Sequence, residues 1–411
     1  MFIPTHFGKN SFCLAVIIIA LLTRVCLQQS VKQMGASNMI ESNSSNRIVP
    51  WIALAIRETA AKAVTFCEYM NWCLYHPEFG YYMNTRPKVG KEGDFYTSSS
   101  ITPVMGEMLA NRIKAWADED SRSSACTVTE WGAGTGKLAR ALLDKLARAW
   151  PDLYERLEYW IIEKSEYHRQ LLLQELAAHS GKIRMWREDE WSQQPCPERM
   201  FMFSNELLDA FPVHRVRQNH GRLMESWVAW DEDSQALTER WEPCSNNQLY
   251  HYLQADSIEL KESQEAEINL LAERWVRQAA EWLSPGSCLL TIDYGDLAAE
   301  IYAPHRMKGT LMCYYRHEAQ DNPLIYPGEQ DITSHVNFSA CMRAGRLGGM
   351  VTEQWTTQKQ FLVEQGILNE LQNHASRDPF SPVARKNRAI RQLLLSDGMS
   401  ELFKVLIQRK L

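Results

Sequence analysis

The chain has 411 residues, 45% hydrophobic and 23% charged, which is the composition of a globular protein of one large domain or two ordinary ones. A formal net charge of −6 offers no basic field for a phosphate backbone, so a nucleic acid is excluded as principal partner. The ten cysteines are scattered without a C-x-x-C pair, which argues against a zinc site or a disulfide framework, and no metal ligands are assigned.

Residues 12 to 22 form an unbroken apolar run between Lys9 and Arg24. It is shorter than the ~20 residues of a membrane span, and no small-x-small cleavage site follows it. A start at Met34 or Met39 accounts for it most simply. No acidic residue precedes Glu41, as in a mitochondrial presequence, although arginine is sparse. The expected location is cytoplasmic, with the mitochondrial matrix as alternative and membrane contact only if the 12–22 run is retained. The expected organisation is an extension at 1–46, a helical and lid region at 47–120, and a core at 121–411 with an insertion at about 212–285.

Apolar residues near helical spacing predict one amphipathic helix from Val49 to Leu74, ended by His76-Pro77. Gly80-Tyr81-Tyr82 follows, then Gly93-Asp94-Phe95-Tyr96-Thr97-Ser98, then a helix from Ile101 to Trp116. Gly93, Asp94 and Thr97, with Met105-Gly106-Glu107, read either as a lid or as an ordinary turn and helix start. From Cys126 strands and helices alternate, which predicts a parallel sheet covered by helices. The strands are Thr127–Glu130, Tyr159–Glu163, Arg184–Trp186, Met200–Ser204 and Cys288–Asp293, with helices Leu138–Ala149 and Tyr167–His179 between them. In the insertion, His214–Gln218, Leu223–Trp230 and Ala236–Trp241 form an antiparallel set turning at Asn219-His220-Gly221, before a helix from Gln264 to Leu283. A loop-rich stretch to Asp331 and further helices or short strands complete the chain.

The first strand runs into Glu130-Trp131-Gly132-Ala133-Gly134-Thr135-Gly136. An acid closing a strand, then glycines at alternate positions before a helix, is how a methyltransferase-type Rossmann fold holds S-adenosylmethionine. The glycines permit a sharp turn and close approach of a ligand, and the helix start offers free N–H groups. Lys137 falls outside the dinucleotide spacing G-x-G-x-x-G, and no Gly-Lys-Ser/Thr marks a phosphate loop. Glu130, Glu163, Asn205 and Asp293 all fall at strand ends, where open sheets bind ligands. Glu163 suits the two hydroxyls of a ribose. Asn205, Glu206 and Asp209 follow the fourth strand, the usual position of methyl-transfer chemistry in such a fold, or else form a helix cap with surface acids. If Glu206 opens a helical turn, Asp209 shares its face and the pair could hold a guanidinium. Tyr314-Tyr315-Arg316-His317 and Tyr326 to Thr333 could line an acceptor channel, with His317 as base or as structural hydrogen bonder.

These segments in order resemble the MidA family of S-adenosylmethionine-dependent methyltransferases, whose mitochondrial members are complex I assembly-factor protein-arginine methyltransferases. The resemblance rests on His76-Pro77, Gly80-Tyr81-Tyr82, Gly93-Asp94-Phe95, Thr97-Ser98, Gly106-Glu107, the glycine motif, Glu163, Asn205-Glu206, Asp209-Ala210, Pro212-Val213, Asp293-Tyr294-Gly295, Gly309-Thr310-Leu311, Tyr315, His317, Pro327-Gly328 and Asp331-Ile332-Thr333. It implies an α/β fold: a Rossmann-like class I methyltransferase sheet with helices on both faces, an α+β insertion and an N-terminal helical segment. It also implies S-adenosyl-L-methionine as cofactor, a protein acceptor, and symmetric arginine dimethylation in the mitochondrial branch. Carried over, Glu130, Gly132, Gly134, Gly136, Glu163, Gly93, Asp94 and Thr97 would bind cofactor, and Asn205, Glu206 and Asp209 would be catalytic. Asn337 departs from the expected aspartate. Two other classes compete: a small-molecule or lipid methyltransferase, and a non-catalytic assembly or binding module on the same fold.

Overall fold

Six consecutive buried residues, Cys126–Trp131, begin the central sheet, as a parallel strand covered on both faces requires. The computed structural model describes residues 47–85, 103–120, 126–373, 378, 381–395 and 399–411. In chain order its elements are α1 (Ile48–Glu58), β1 (Ala63–Thr65), α2 (Phe66–Tyr75), α3 (Val104–Asp118), β2 (Cys126–Trp131), α4 (Lys137–Ala149), β3 (Leu157–Ile162), α5 (Glu166–Glu175), β4 (Ile183–Trp186) and β5 (Met200–Asn205). There follow β6 (His214–Asn219), β7 (Arg222–Asp231), β8 (Ala236–Pro243), α6 (Asn247–Ala255), β9 (Glu265–Ile268), α7 (Leu270–Trp282) and β10 (Cys288–Asp296). The remainder holds β11 (Met312–Tyr315), β12 (Glu318–Gln320), β13 (Asp331–Thr333), β14 (Val336–Asn337), α8 (Phe338–Leu347), β15 (Met350–Thr357), α9 (Pro382–Leu395) and β16 (Phe403–Lys410).

The large sheet runs β15-β16-β10-β5-β2-β3-β4, with β14 beside β10. Strands β2, β3, β4, β5 and β10 are parallel, and β16 lies antiparallel between β10 and β15. The chain steps outward from β2 to β4, then returns to place β5 on the other side of β2. That reversal opens a crevice beyond the carboxyl end of β2. One face is covered by α3, α4 and α9, the other by α7 and α8. On α4, Leu142, Leu143 and Leu146 are wholly buried, each contributing roughly 1.5–3 kcal/mol by burial. This is the Rossmann-like sheet that the sequence predicts, with helices on both faces.

A second sheet, β1-β7-β6-β9 with β8 beside β7, is antiparallel throughout. Its β6–β7 hairpin turns at His220-Gly221, whose φ angles of 48° and 74° are those of a two-residue type I′ turn.

Three helix boundaries differ from expectation. Val49–Leu74 is two helices, because Ala63–Thr65 pairs with Trp227–Ala229 as a strand. Thr65 then restarts the helix through a capping box with Glu68. Gln264–Leu283 likewise divides: Glu265–Ile268 pairs with His214–Arg217, and Asn269 caps α7 by accepting from the Ala272 N–H at 2.9 Å. Tyr167–His179 ends as a helix at Glu175 and continues as a 3-10 turn, Ala177–Lys182. In each of the first two cases a partner strand outweighs local helix preference.

The Asn269 side chain also donates to the Leu208 carbonyl at 2.9 Å, tying α7 to the segment that leaves β5. Asn269→Ala removes a cap and orphans a buried carbonyl, so a loss of about 2 kcal/mol is expected. A denaturant midpoint unchanged from wild type would refute the double role.

Candidate active site

The glycine turn is built from backbone that side chains resist. Gly132, Gly134 and Gly136 have φ of 76°, 55° and 80°, all left-handed. A Cβ on Gly136 would lie 2.8 Å from Leu172 Cδ2, whereas a Cβ on Gly134 would meet nothing within 4 Å. Gly136 is packed; Gly134 faces open space. That space is a cavity of about 520 Å³, lined by the glycine turn, Glu130, Glu163, Asn205, Glu206 and Asp209 together with parts of α2, α7 and β13. Its size falls within the usual range of small-ligand sites.

Glu163 follows β3 and accepts the Gly134 N–H at 3.2 Å on one oxygen and the Ser165 N–H at 2.8 Å on the other. Each oxygen retains a lone pair for a ligand hydroxyl. Glu130 is buried and accepts the Tyr159 hydroxyl at 2.7 Å; burial pushes it up to about 7 despite that bond, and Glu163 adds to the rise. The residues present fit an adenosyl group: an open glycine cradle, a carboxylate with accepting capacity, and a helix start beside them.

The segment after β5 is a bend, not the helical turn expected at Glu206. Glu206 is left-handed, with φ 52°, which is strained for a residue with a side chain. Its N–H is held by the Ile292 carbonyl at 2.9 Å, and the wholly buried Asp293 carboxylate accepts the next two N–H groups, Leu207 at 3.1 Å and Leu208 at 2.8 Å. Asn205 Nδ2 donates to Glu206 Oε1 at 3.0 Å. Asn205 Oδ1 and Glu206 Oε2 are buried without a partner. Burial, then Asp293 and Asp331, pushes Glu206 up to about 8; burial, then Asp293, Glu206 and Asp331, raises Asp209. Asp293 rises to about 7 through burial, against the backbone N–H groups it accepts. Among the described residues, no ion pair reaches Glu206, Asp209 or Asp293.

Of the expected site residues, Glu130, Gly132, Gly134, Glu163, Asn205, Glu206 and Asp209 line one cavity, and Gly136 supports the turn from behind. Gly93, Asp94 and Thr97 lie outside the described residues. Gly106 is not part of a lid: it sits in α3 against Ala141, and Glu107 is paired with Lys386 at 3.0 Å. His317 does not line the cavity. With Arg316 it forms the two-residue turn between β11 and β12, both at positive φ. Asn337 is also remote from the cavity: it caps α8 and donates to Asp256 at 3.0 Å, where an aspartate would set two carboxylates together. The sequence reading assigned no role to the cavity residues Tyr75, Tyr82, Glu188 and Arg274. Glu188 carried a usable signal, since it stands just past β4 as Glu163 does past β3.

A family model for S-adenosyl-L-methionine-dependent methyltransferases matches residues 105–356. The Drosophila melanogaster protein named "Protein arginine methyltransferase NDUFAF7 homolog, mitochondrial" is 27% identical over 319 residues, covering 70% of this chain and 68% of that one. The Mus musculus "Protein arginine methyltransferase NDUFAF7, mitochondrial" is 25% identical over 351 residues, covering 80% and 76%. A COG1565 superfamily member from Burkholderia thailandensis, solved bound to S-adenosyl-homocysteine, superposes with a TM-score of 0.77 at 31% identity, covering 91% of this chain and 95% of that one.

The raised carboxylates fix the sign of a pH dependence. Glu130, Glu206 and Asp293 hold protons up to about pH 7 to 8 when folded, whereas the unfolded chain releases them in the ordinary carboxylate range. The folded state therefore binds more protons in that window, and stability falls as pH rises through it. The melting temperature of the cofactor-free protein is expected to drop by roughly 5 °C between about pH 5 and pH 8, less steeply in Glu206→Gln. A flat or rising profile would contradict the buried protons.

Proposed function

The chain belongs to the MidA (COG1565) family of S-adenosyl-L-methionine-dependent methyltransferases, and on that premise we propose that it methylates a guanidinium nitrogen of a protein arginine. S-adenosyl-L-methionine, when bound, supplies an electrophilic methyl group on a sulfonium. In this reading the turn Gly132–Gly136 borders it, and Glu130 and Glu163 hold its sugar end.

The observation that carries the acceptor reading is a set of buried and half-buried acids that, among the described residues, have no ion-paired counter-cation. Asp293 raises the proton affinity of Glu206 and Asp209, Glu206 adds to that of Asp209, and among the described residues no lysine or arginine is ion-paired with any of the three. A guanidinium brings the missing charge, and its planar fork matches two carboxylates. The orphaned Glu206 Oε2 and Asn205 Oδ1 are acceptors for its N–H groups. As positive charge is neutralised during attack, a carboxylate with a proton affinity near the working pH takes the departing proton. Alignment of acceptor and donor supplies the rest of the rate.

The names of the relatives in Drosophila melanogaster and Mus musculus support a protein arginine as acceptor. They favour a mitochondrial site of action over the cytoplasmic one. Among the described residues no helix is long and apolar enough to cross a membrane, and the 12–22 run lies outside them.

The Glu206→Gln, Asp209→Asn double variant is expected to bind S-adenosyl-homocysteine within about threefold of wild type. Its methyl transfer to an arginine peptide should fall at least about 100-fold, measured with labelled donor. Undiminished turnover would remove these carboxylates from the reaction. The open setting of Gly134 and the packed setting of Gly136 separate binding from folding. Gly134→Ala should weaken S-adenosyl-homocysteine at least about tenfold while costing about 1 kcal/mol of stability. Gly136→Ala should cost more stability, because its Cβ meets Leu172. Equal effects of the two on ligand affinity and stability would deny Gly134 its role.

A further inference from the structure

One edge of β7 is shared by two strands. β8 pairs along the other edge with Met224–Asp231, so β1, opposite Trp227–Ala229, and β6, opposite Arg222–Glu225, lie end to end on the remaining side. The chain must leave that edge after Thr65 to make room for β6, and it does so as α2, capped by the Thr65 hydroxyl. The first turn of α2 is thereby set beside the first residue of β6. Cys67 lies in that turn, and His214 opens β6.

His214 stands between two partners. Its Nδ1 lies 2.7 Å from Glu225 Oε1 of β7, and its ring shares a hydrogen bond with the Cys67 thiol. Glu225 is buried, and among the described residues His214 is the one group ion-paired with it. Burial works against a charged ring, yet the bonds to Cys67 and Glu225 push His214 up to about 9, so it is an imidazolium at neutral pH.

Among the described cysteines only Cys67 is bonded to an imidazole. Cys73, Cys126, Cys288, Cys313 and Cys341 are buried, and burial raises each of them. Cys196 and Cys244 are half-buried like Cys67, but their thiols donate to the carbonyls of Pro197 at 3.3 Å and Asn246 at 3.7 Å. An imidazolium neighbour and a place in the first turn of a helix are the surroundings that make a cysteine nucleophilic. None of Cys67, His214 and Glu225 lines the methyl-transfer cavity.

We propose that Cys67, with His214 beside it and Glu225 holding the ring, is a site of reversible modification by hydroperoxides. The sulfur attacks one peroxide oxygen: an S–O bond forms, the O–O bond breaks, and the sulfur is oxidised by two electrons to a sulfenic acid. The leaving oxygen takes the proton of the His214 imidazolium. Condensation with a small thiol then expels water and gives a disulfide, from which excess thiol restores the cysteine. Neither the methyl donor nor its acceptor enters this chemistry.

The full chain is treated with limiting iodoacetamide at neutral pH, and the alkylation rate of each cysteine is read by peptide mass spectrometry. An ordinary thiol is only a few per cent ionised at about pH 7, so Cys67 is expected to react at least about tenfold faster than Cys196 or Cys244. His214→Gln should remove that advantage, and Glu225→Gln should reduce it about threefold. Unchanged labelling of Cys196 and Cys244 in both variants reports an intact fold; if His214→Gln unfolds, Glu225→Gln decides. Hydrogen peroxide followed by dimedone should tag Cys67, and dithiothreitol added between the two should abolish the tag. The proposal is overturned by a wild type whose Cys67 reacts no faster than Cys196 and Cys244, by a folded His214→Gln that keeps the wild-type rate, or by absence of the tag.

Discussion

Asp293 is the group on which the site depends. It lies wholly buried in β10, next to β5 in the sheet, and its carboxylate accepts the N–H groups of Leu207, Leu208 and Tyr294. Without such an acceptor the chain leaving β5 would have buried donors and no reason to bend. With it, Glu206 is held in a left-handed conformation that its side chain disfavours, and its carboxylate is brought to Asn205. The strain is local, and the packed sheet beneath makes it tolerable. Gly132 on the neighbouring strand end and Asn269 on α7 meet this bend from two other sides.

The electrostatics follow from the same crowding. Buried carboxylates close together cannot all ionise without a cation, so the empty-handed site retains protons at neutral pH. On the proposed arginine reading, binding of a guanidinium and release of those protons would be one linked event. A neutral acceptor would gain nothing from the arrangement, and an ammonium would satisfy the charge without filling the planar geometry. Phenols supply the remaining donors, and Tyr75 and Tyr82 remain uncharged because burial and nearby acids raise them well above their ordinary value.

Much of the central sheet was legible because its strands are short apolar runs bounded by polar ends, and because the glycines at 132, 134 and 136 have a conformational reason to be there. Glu163, Asn205, Glu206 and Asp209, which line the cavity, could be singled out as candidates for a similar reason: position relative to a strand end is a local property. What escaped depended on distant partners. Ala63–Thr65 is unremarkable in sequence and becomes a strand only beside Trp227–Ala229. Asp331 enters the cavity through a pairing with β11 that no local pattern announces. Asn337 looked like a departure at the site, yet its meaning lies in Asp256 and the start of α8. Glu206 lines the cavity, but in a left-handed bend rather than a helical turn, since the bend is imposed by Asp293 from another strand.

The position of β16 bears on biosynthesis. Residues 403–410 fill the gap between β10 and β15, pairing with both along nearly their whole length. Until that stretch has emerged, β10 carries an unpaired apolar edge, and β15 has no strand through which to join the sheet. A nascent chain in this condition offers an open template to other chains. The sheet is therefore closed by insertion of a strand that follows both its neighbours in the chain, rather than by addition at a rim.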